Sequence, residues 1–305
     1  MNKLQLFTIL LICASLASCH SLVEDEFDDY KQIPVMNGLL QADSTFKVQI
    51  SLTANLTDSM PDYVSNAQVI VENNMDTPDT LIYTEKGWYI SSRKVKAGAT
   101  YRCEATIPDY PILSAQTTIP LYSEPSSIVF TDLAGRGEEA EKISSVEFTI
   151  VNDITKNLFW EVWLITEGMQ TVYNYETDEW TESFRSENEY IYMKAGQDSV
   201  LLNEANPLTV FSNKMMSADS YKVKFYLNAN YTHFSSNDVP YIILRSVDES
   251  YYKYLKQYYI YETSGWINIG KSPQKYPLYS NVDNGLGLFT GVSITKKELP
   301  LNTGE

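Results

Sequence analysis

Side chains able to serve as nucleophiles, bases or soft metal ligands are scarce in this chain: three cysteines and two histidines in 305 residues. His20 follows Cys19 near the N-terminus, and His233 stands alone in the polar stretch Thr232-His233-Phe234-Ser235. A lone imidazole cannot build a zinc site of His and Cys ligands, because such sites draw three or four ligands to one point. Ser/His/Asp or Cys/His catalysis would have to use His233 without a local pattern such as Gly-x-Ser-x-Gly. No glycine-rich phosphate loop follows a strand pattern. Acids are plentiful, 39 Asp and Glu, so pairs suited to glycoside hydrolysis arise by coincidence and spacing singles none out. Asn73-Asn74-Met75-Asp76 with Asp79 gathers hard oxygens of the kind calcium prefers, but it lacks an Asp-x-Asp-x-Asp-Gly loop and reads as a solvated turn. The sequence therefore names no catalytic residue, no cofactor-binding residue and no metal ligand.

One thiol is placed for a reaction. Cys19 closes Leu16-Ala17-Ser18-Cys19, at the end of an apolar run from Leu4 to Leu16 that follows the positive Met1-Asn2-Lys3. A helix of about 13 residues rises about 20 Å, short of a hydrocarbon core of about 30 Å, so the run reads as a signal peptide. It resembles the bacterial lipoprotein signal, which is cut between Ser18 and Cys19 and leaves the cysteine sulfur bonded to a diacylglycerol. Small side chains at Ala17 and Ser18 let the backbone enter the peptidase. Residues 1–18 are then the signal, and two or three acyl chains of the palmitate type, at about 0.8 kcal/mol per buried methylene, hold the mature chain on a membrane. Residues 19–32 form an acidic tether, since Glu24-Asp25-Glu26-Phe27-Asp28-Asp29 cannot collapse into a core. This tether resembles the acidic signal that sends Bacteroidota lipoproteins to the outer face of the outer membrane. The expected localisation is accordingly the outer membrane, lipid-anchored and facing the cell exterior.

Cys13 leaves with the signal, so Cys103 alone remains and no internal disulfide forms. Alternate apolar residues in Tyr101-Arg102-Cys103-Glu104-Ala105-Thr106-Ile107 point Cys103 into a core as a small hydrophobe. The formal charge of −16 repels phosphate backbones, which excludes nucleic acid as a main partner.

The elements that must carry these groups read as strands. With 23 tyrosines and no long Ala/Leu/Glu/Lys-rich stretch, the composition predicts a mainly β protein. Phe46 to Leu52 alternates apolar and polar residues, and similar runs cover Ala67 to Val71, Tyr89 to Ser91 and Tyr101 to Ile107, with polar turns between them. Residues 33–120 are expected to form an antiparallel β-sandwich of the immunoglobulin or transthyretin kind. Prolines at 120 and 125 suggest a boundary, and residues 121–305 are expected to form a larger β-rich domain with one short helix. Its strands are read at Val146 to Ile150, Trp160 to Ile165, Tyr221 to Leu227 and Val239 to Leu244, with residues 281–294 as the closing strand. Val172 to Tyr175 and Trp180 to Phe184 flank Glu176-Thr177-Asp178-Glu179 and predict a hairpin with an exposed tip. Tyr173, Tyr175 and Trp180 on that hairpin could dock a partner, because flat amphipathic rings give large contact area at small entropic cost. Ser246-Val247-Asp248-Glu249 fits a capping box, and the spacing of Tyr251, Tyr254, Leu255, Tyr258 and Tyr259 predicts the helix.

Near the C-terminus, Asn281-Val282-Asp283-Asn284-Gly285-Leu286-Gly287-Leu288-Phe289 resembles the Asn-x-x-Asn-Gly-x-Gly-x-Phe that closes the Bacteroidota lipoproteins catalogued as domain of unknown function 4249. Met36-Asn37-Gly38-Leu39-Leu40, Ala67-Gln68-Val69 and Gly98-Ala99-Thr100-Tyr101 are similar to that family's earlier segments. Asn284-Gly285 is a turn signal, and Leu286, Leu288 and Val292 are expected to fill the core behind it. The resemblance implies a surface or periplasm-facing lipoprotein, often encoded beside TonB-dependent outer-membrane receptors, with no catalytic residues to carry across.

These readings order three functions. First stands a non-enzymatic accessory lipoprotein that binds a ligand for, or docks onto, a TonB-dependent transporter. Second is a fimbrial or adhesive subunit, which an exposed C-terminal donor strand would favour. Third is a carboxylate-based hydrolase, which needs two acids converging in one cleft.

Overall fold

A computed structural model describes residues 31–54, 60–136, 140, 142–189, 198–204, 209–228, 238–264 and 278–301. Residues 1–30, which hold the expected signal and nearly all of the expected tether, and His233 lie outside the described residues.

In the first half the strands are β1 (Pro34–Gln41), β2 (Thr45–Leu52), β3 (Asp62–Tyr63), β4 (Gln68–Asn73), β5 (Asp79–Thr80), β6 (Ile82–Tyr83), β7 (Trp88–Lys94), β8 (Thr100–Thr106) and β9 (Leu113–Thr118). There follow β10 (Ser126–Arg136), β11 (Lys142–Val151), β12 (Phe159–Asn174), β13 (Glu179–Glu189), β14 (Val210–Ser212), β15 (Ser220–Asn228), β16 (Asp238–Val247), β17 (Val282–Asp283) and β18 (Phe289–Glu298). The helices described are α1 (Ser199–Glu204) and α2 (Glu249–Ser264). The protein is thus mainly β, as its alternating sequence predicts. Phe46, Val48 and Ile50 of β2 point inward while Thr45 and Lys47 point out, the two-residue period expected of a half-buried strand.

Three sheets are formed by these strands. Ten strands build the largest, in the order β13-β12-β16-β18-β1-β2-β7-β6, with β14 added to β12 and β3 to β2. A five-stranded sheet, β17-β9-β8-β4-β5, and a three-stranded sheet, β10-β11-β15, complete the set. One buried cluster joins Met36, Phe46, Val48 and Phe289 of the large sheet to Val69, Tyr101, Cys103 and Leu113 of the five-stranded sheet. A second joins Trp160, Val162, Leu164 and Leu244 to Phe148, Val223 and Phe225 of the three-stranded sheet. Cross-strand partners share a face, and Leu244 pairs with Thr295, which has the same parity along β18 as Phe289. Both small sheets therefore pack on one face of the large one. Val292 has the opposite parity and meets Val247, Tyr251 and Leu255 on the other face, where α2 lies.

Where a boundary was expected at 120, the large sheet runs straight across: β18 pairs in parallel with β1 on one side and antiparallel with β16 on the other. Residues Ile33–Glu305 make one unit. The connection from β9 to β10 is pinned rather than loose, since Trp160 Nε1 donates to Ser123 Oγ at 2.8 Å and Ser293 Oγ donates to the Pro120 carbonyl at 2.5 Å.

Two local expectations are corrected. Ser246 belongs to β16, and the residue that caps α2 is Asp248, whose Oδ1 accepts the Tyr251 N–H at 2.8 Å. The same carboxylate accepts the hydroxyls of Thr117 on β9 and Thr290 on β18, so one side chain fixes the helix start to two sheets. Leu286 is 43% exposed and Leu288 is half-buried, so neither fills the core as expected; Phe289 and Val292 do. The stretch 281–294 is accordingly divided between β17 and β18. The short α1 has no counterpart in the sequence reading.

Candidate functional site

The closing motif is built to seal the sheet. Asn281 Oδ1 accepts the Phe289 N–H at 2.8 Å, and its Nδ2 donates to the Phe289 carbonyl at 2.7 Å, so one amide side chain imitates a strand partner. Asn284 sits at a φ of 60°, a conformation that Asn tolerates better than most residues, and donates to the Ile112 carbonyl at 2.9 Å. Gly287 has a φ of +125°, and a Cβ there would fall 2.0 Å from the Met36 carbonyl oxygen. Close approach lets Met36 N donate to the Leu286 carbonyl at 2.9 Å and Gly38 N to that of Leu288 at 2.8 Å. Both amide side chains here are spent on backbone groups, and Asp283 accepts from Ser114 Oγ at 3.3 Å.

The other oxygen-rich turn is likewise closed on itself. Asn73 Oδ1 accepts the N–H groups of Met75 and Asp76 at 2.7 Å each, and Asp76 pairs with Lys96 at 2.8 Å. Hydrogen bonds from Lys96 and Asn73 hold the Asp76 carboxyl below the usual carboxylate range. Among the described residues no group of three or more His, Cys, Asp or Glu converges to hold a metal ion. Cys103 is buried in the first core, and burial pushes its thiol up to about 12. It is a packed hydrophobe at neutral pH.

Charges that the sequence reading passed over are buried beneath α2. Glu161 and Arg245 face each other on neighbouring strands β12 and β16 and form an ion pair, both nearly inaccessible. Tyr251 Oη lies 2.9 Å from Arg245 Nη1 and 3.1 Å from Glu161 Oε2, and the guanidinium stacks 4.2 Å above the Trp163 ring. Farther along the helix, Glu204 accepts from Tyr252 Oη at 2.5 Å, Lys256 Nζ at 2.8 Å and the Ser212 N–H at 2.8 Å. Burial pushes the Glu204 carboxyl up, but the donors from Lys256, Tyr252 and Ser212 outweigh it and hold the carboxyl below its ordinary value. A signal for these pairs existed: Glu161 interrupts Phe159 to Leu164, and Arg245 ends the apolar run Tyr241 to Leu244. A charge on the inner face of a strand requires a partner. Both pairs hold the helix to the sheet, although Arg245 Nε is buried without a hydrogen-bond partner.

Beside them opens a cleft of about 440 Å³, lined by Phe159, Ser212, Asn213, Lys214, Glu249 and Tyr252 among others. Among the described residues Glu249 is its one lining carboxylate, and it is paired with Lys253 at 3.0 Å. Two opposed acids, which glycoside hydrolysis requires, do not meet here.

The exposed aromatic groups lie elsewhere, on the predicted hairpin. β16 accompanies β12 only as far as Gly168. Beyond it, Met169 to Asn174 pair with β13 alone among the described residues, as a two-stranded arm whose register runs without a break from Leu164↔Glu189 to Asn174↔Glu179. Tyr173 faces Trp180 and Met169 faces Phe184, so these side chains share one face with Tyr175. Trp180 is 70% exposed, Tyr175 90%, Phe184 65% and Met169 52%. Tyr173 packs 5.1 Å from Trp180 and 5.0 Å from Tyr175 by ring centroid, and its hydroxyl donates to Asp178 at the turn. The structure thus brings together the three aromatic residues singled out in the sequence and adds Phe184 and Met169. Those two were legible as well, since the hairpin pairing places them on the same face.

Residues 21–298, nearly the whole chain, match the family described as domain of unknown function (DUF4249). The resemblance carried by the Asn281 to Phe289 motif is thereby borne out. No curated protein matches the chain.

Proposed function

We propose, for a chain that belongs to the domain of unknown function (DUF4249) family, that it works as a non-enzymatic lipoprotein, anchored through Cys19 in the outer membrane, facing the cell exterior, and docking onto a TonB-dependent transporter. The observation that carries this reading is the aromatic arm. Large apolar side chains exposed together on a two-stranded ribbon, Trp180, Tyr175, Phe184 and Met169, are the composition of a docking surface rather than of a core. Among the described residues no helix is long and apolar enough to cross a membrane; in this reading the acyl chains on Cys19 supply the attachment. The engaged state of Glu161, Arg245, Glu204 and Lys256 supports a framework role for the buried charges. A fimbrial subunit with a free C-terminal donor strand is the weaker alternative, because β18 lies in the middle of the large sheet between β16 and β1.

The test is a mild-detergent pull-down of the tagged, Cys19-lipidated protein from its own outer membranes, with protease accessibility of intact cells alongside. Recovery of one outer-membrane receptor in near-equal amount, with the arm cleavable from outside, is expected. Recovery of the protein alone or as a self-assembled ladder would overturn the proposal.

A further inference from the structure

The arm is also the open edge of the large sheet, and its chemistry specifies what would close it. β13 is the terminal strand of that sheet, 11 residues long, and no strand among the described residues pairs with its outer side. Such an edge presents a row of unpaired backbone N–H and C=O groups, which proteins usually blunt with bulges, proline, shortness or charge. Bulges interrupt β10 against β11, and the opposite edge strand β6 has only two residues. On β13 the register is continuous and proline is absent, so charge is the one device left.

That charge is predominantly negative. Glu176, Asp178, Glu179 and Glu182 crowd the tip, no Lys or Arg occurs between Gly168 and Phe184, and Arg185 is the one basic residue of β13 against Glu179, Glu182, Glu187 and Glu189. On the aromatic face, Trp180, Glu182 and Phe184 follow one another at two-residue spacing. A strand laid along this edge would place its own alternate side chains beside them, within about 5 Å.

We infer that β13 accepts an extended basic segment of another protein, added as a further strand, whose residues on the shared face read apolar, basic, apolar against Phe184, Glu182 and Trp180. A cation there answers Glu182 and lies against aromatic rings on both sides. A second copy of this chain fits poorly, because its tip brings the same four acids and its β13 only Arg185 to answer them. A flat sugar does not fit either: Tyr173 is inclined 57° to Trp180 and 88° to Tyr175, so the rings offer no common plane for a pyranose. The inference rests on the docking role proposed above and names the chemistry of the partner segment.

The experiment is photo-crosslinking in the native outer membrane, with p-benzoylphenylalanine placed singly at Trp180, at Phe184 and, as a control, at exposed Val151 of β11, followed by mass-spectrometric mapping of the adducts. Expected are adducts from Trp180 and Phe184 on one segment with the apolar-x-basic-x-apolar pattern. Their yield should fall roughly tenfold or more in the Glu179→Lys/Glu182→Lys variant, as like charges meet across the edge, while its unfolding midpoint stays at the wild-type value. Adducts to lipid, glycan, a second copy or a segment without the basic residue would overturn the inference, as would yields no higher than from Val151. The two proposals fail separately: a receptor recovered by pull-down without arm adducts removes only the inference. Arm adducts on a basic strand of some other protein remove only the transporter reading.

Discussion

Gly287 shows how much one backbone position decides. At a φ of +125°, with the Met36 carbonyl 2.0 Å from where a Cβ would be, no side chain fits without moving β1 away from the closing turn. Gly287→Ala is expected to lose about 3 kcal/mol in urea unfolding, from left-handed strain plus lost pairing. Gly135 has nothing within 4 Å of its would-be Cβ, and Gly135→Ala should stay within about 0.5 kcal/mol. Equal losses at both sites would show that the closing turn does not hold β1 to β18. Asn281 belongs to the same scale: its amide bonds the N–H and carbonyl of Phe289, which explains an Asn where a turn alone would accept several polar residues. The motif's spacing was legible in the sequence. Its purpose was not, because the atoms it serves lie on residues some 250 positions away, as in the Leu288 N–H donated to Asn37 Oδ1.

At the level of elements, α2 is held by charge as much as by apolar packing. Arg245 and Glu161 anchor its first turn through Tyr251, and Glu204 grips it through Tyr252 and Lys256. Because the Glu204 carboxyl is held below its ordinary value near 4.5, its stabilisation is present in full above that unfolded value and is lost as pH falls through the lower folded one. Glu204→Gln should therefore lose about 2 kcal/mol at pH 7, less than for a wholly buried pair since Lys256 is partly solvated. The gap to wild type should narrow below about pH 4.5, read from denaturant titrations at each pH. A gap independent of pH would mean that packing, and not the ionised carboxylate, is what the substitution removes. The hairpin arm was foreseen from local signals alone, alternation on both sides of a polar turn, because its partners are neighbours in sequence.

Across the whole molecule, the two buried clusters lie on one face of a single ten-stranded sheet, and the chain's end completes its beginning. Phe289 and Val282 enter the first cluster, and β18 supplies the parallel partner of β1. Expressed alone, residues 33–120 lack both and are expected to show poor NMR dispersion and no cooperative melting, whereas residues 33–305 should give dispersed spectra and a cooperative transition. A fragment that melts cooperatively by itself would mean that the first cluster is self-sufficient without the closing strand. The −16 charge acts at this scale too, making the molecule as a whole repel polyanions.

By itself the sequence determined the strand-rich class, the hairpin with its aromatic residues and the tyrosine helix, all written in composition or in short-range periodicity, and the family, carried by the motif from Asn281 to Phe289. Only the tertiary structure decided that β18 runs beside β1, that Leu286 faces solvent while Phe289 does not, and that Glu161 meets Arg245. Alternation reports which face of a strand is buried, but it is silent on which strand lies alongside and on which buried charge finds its counterpart. Those choices rest on contacts between residues far apart in the chain, and they exist only once the sheet has closed.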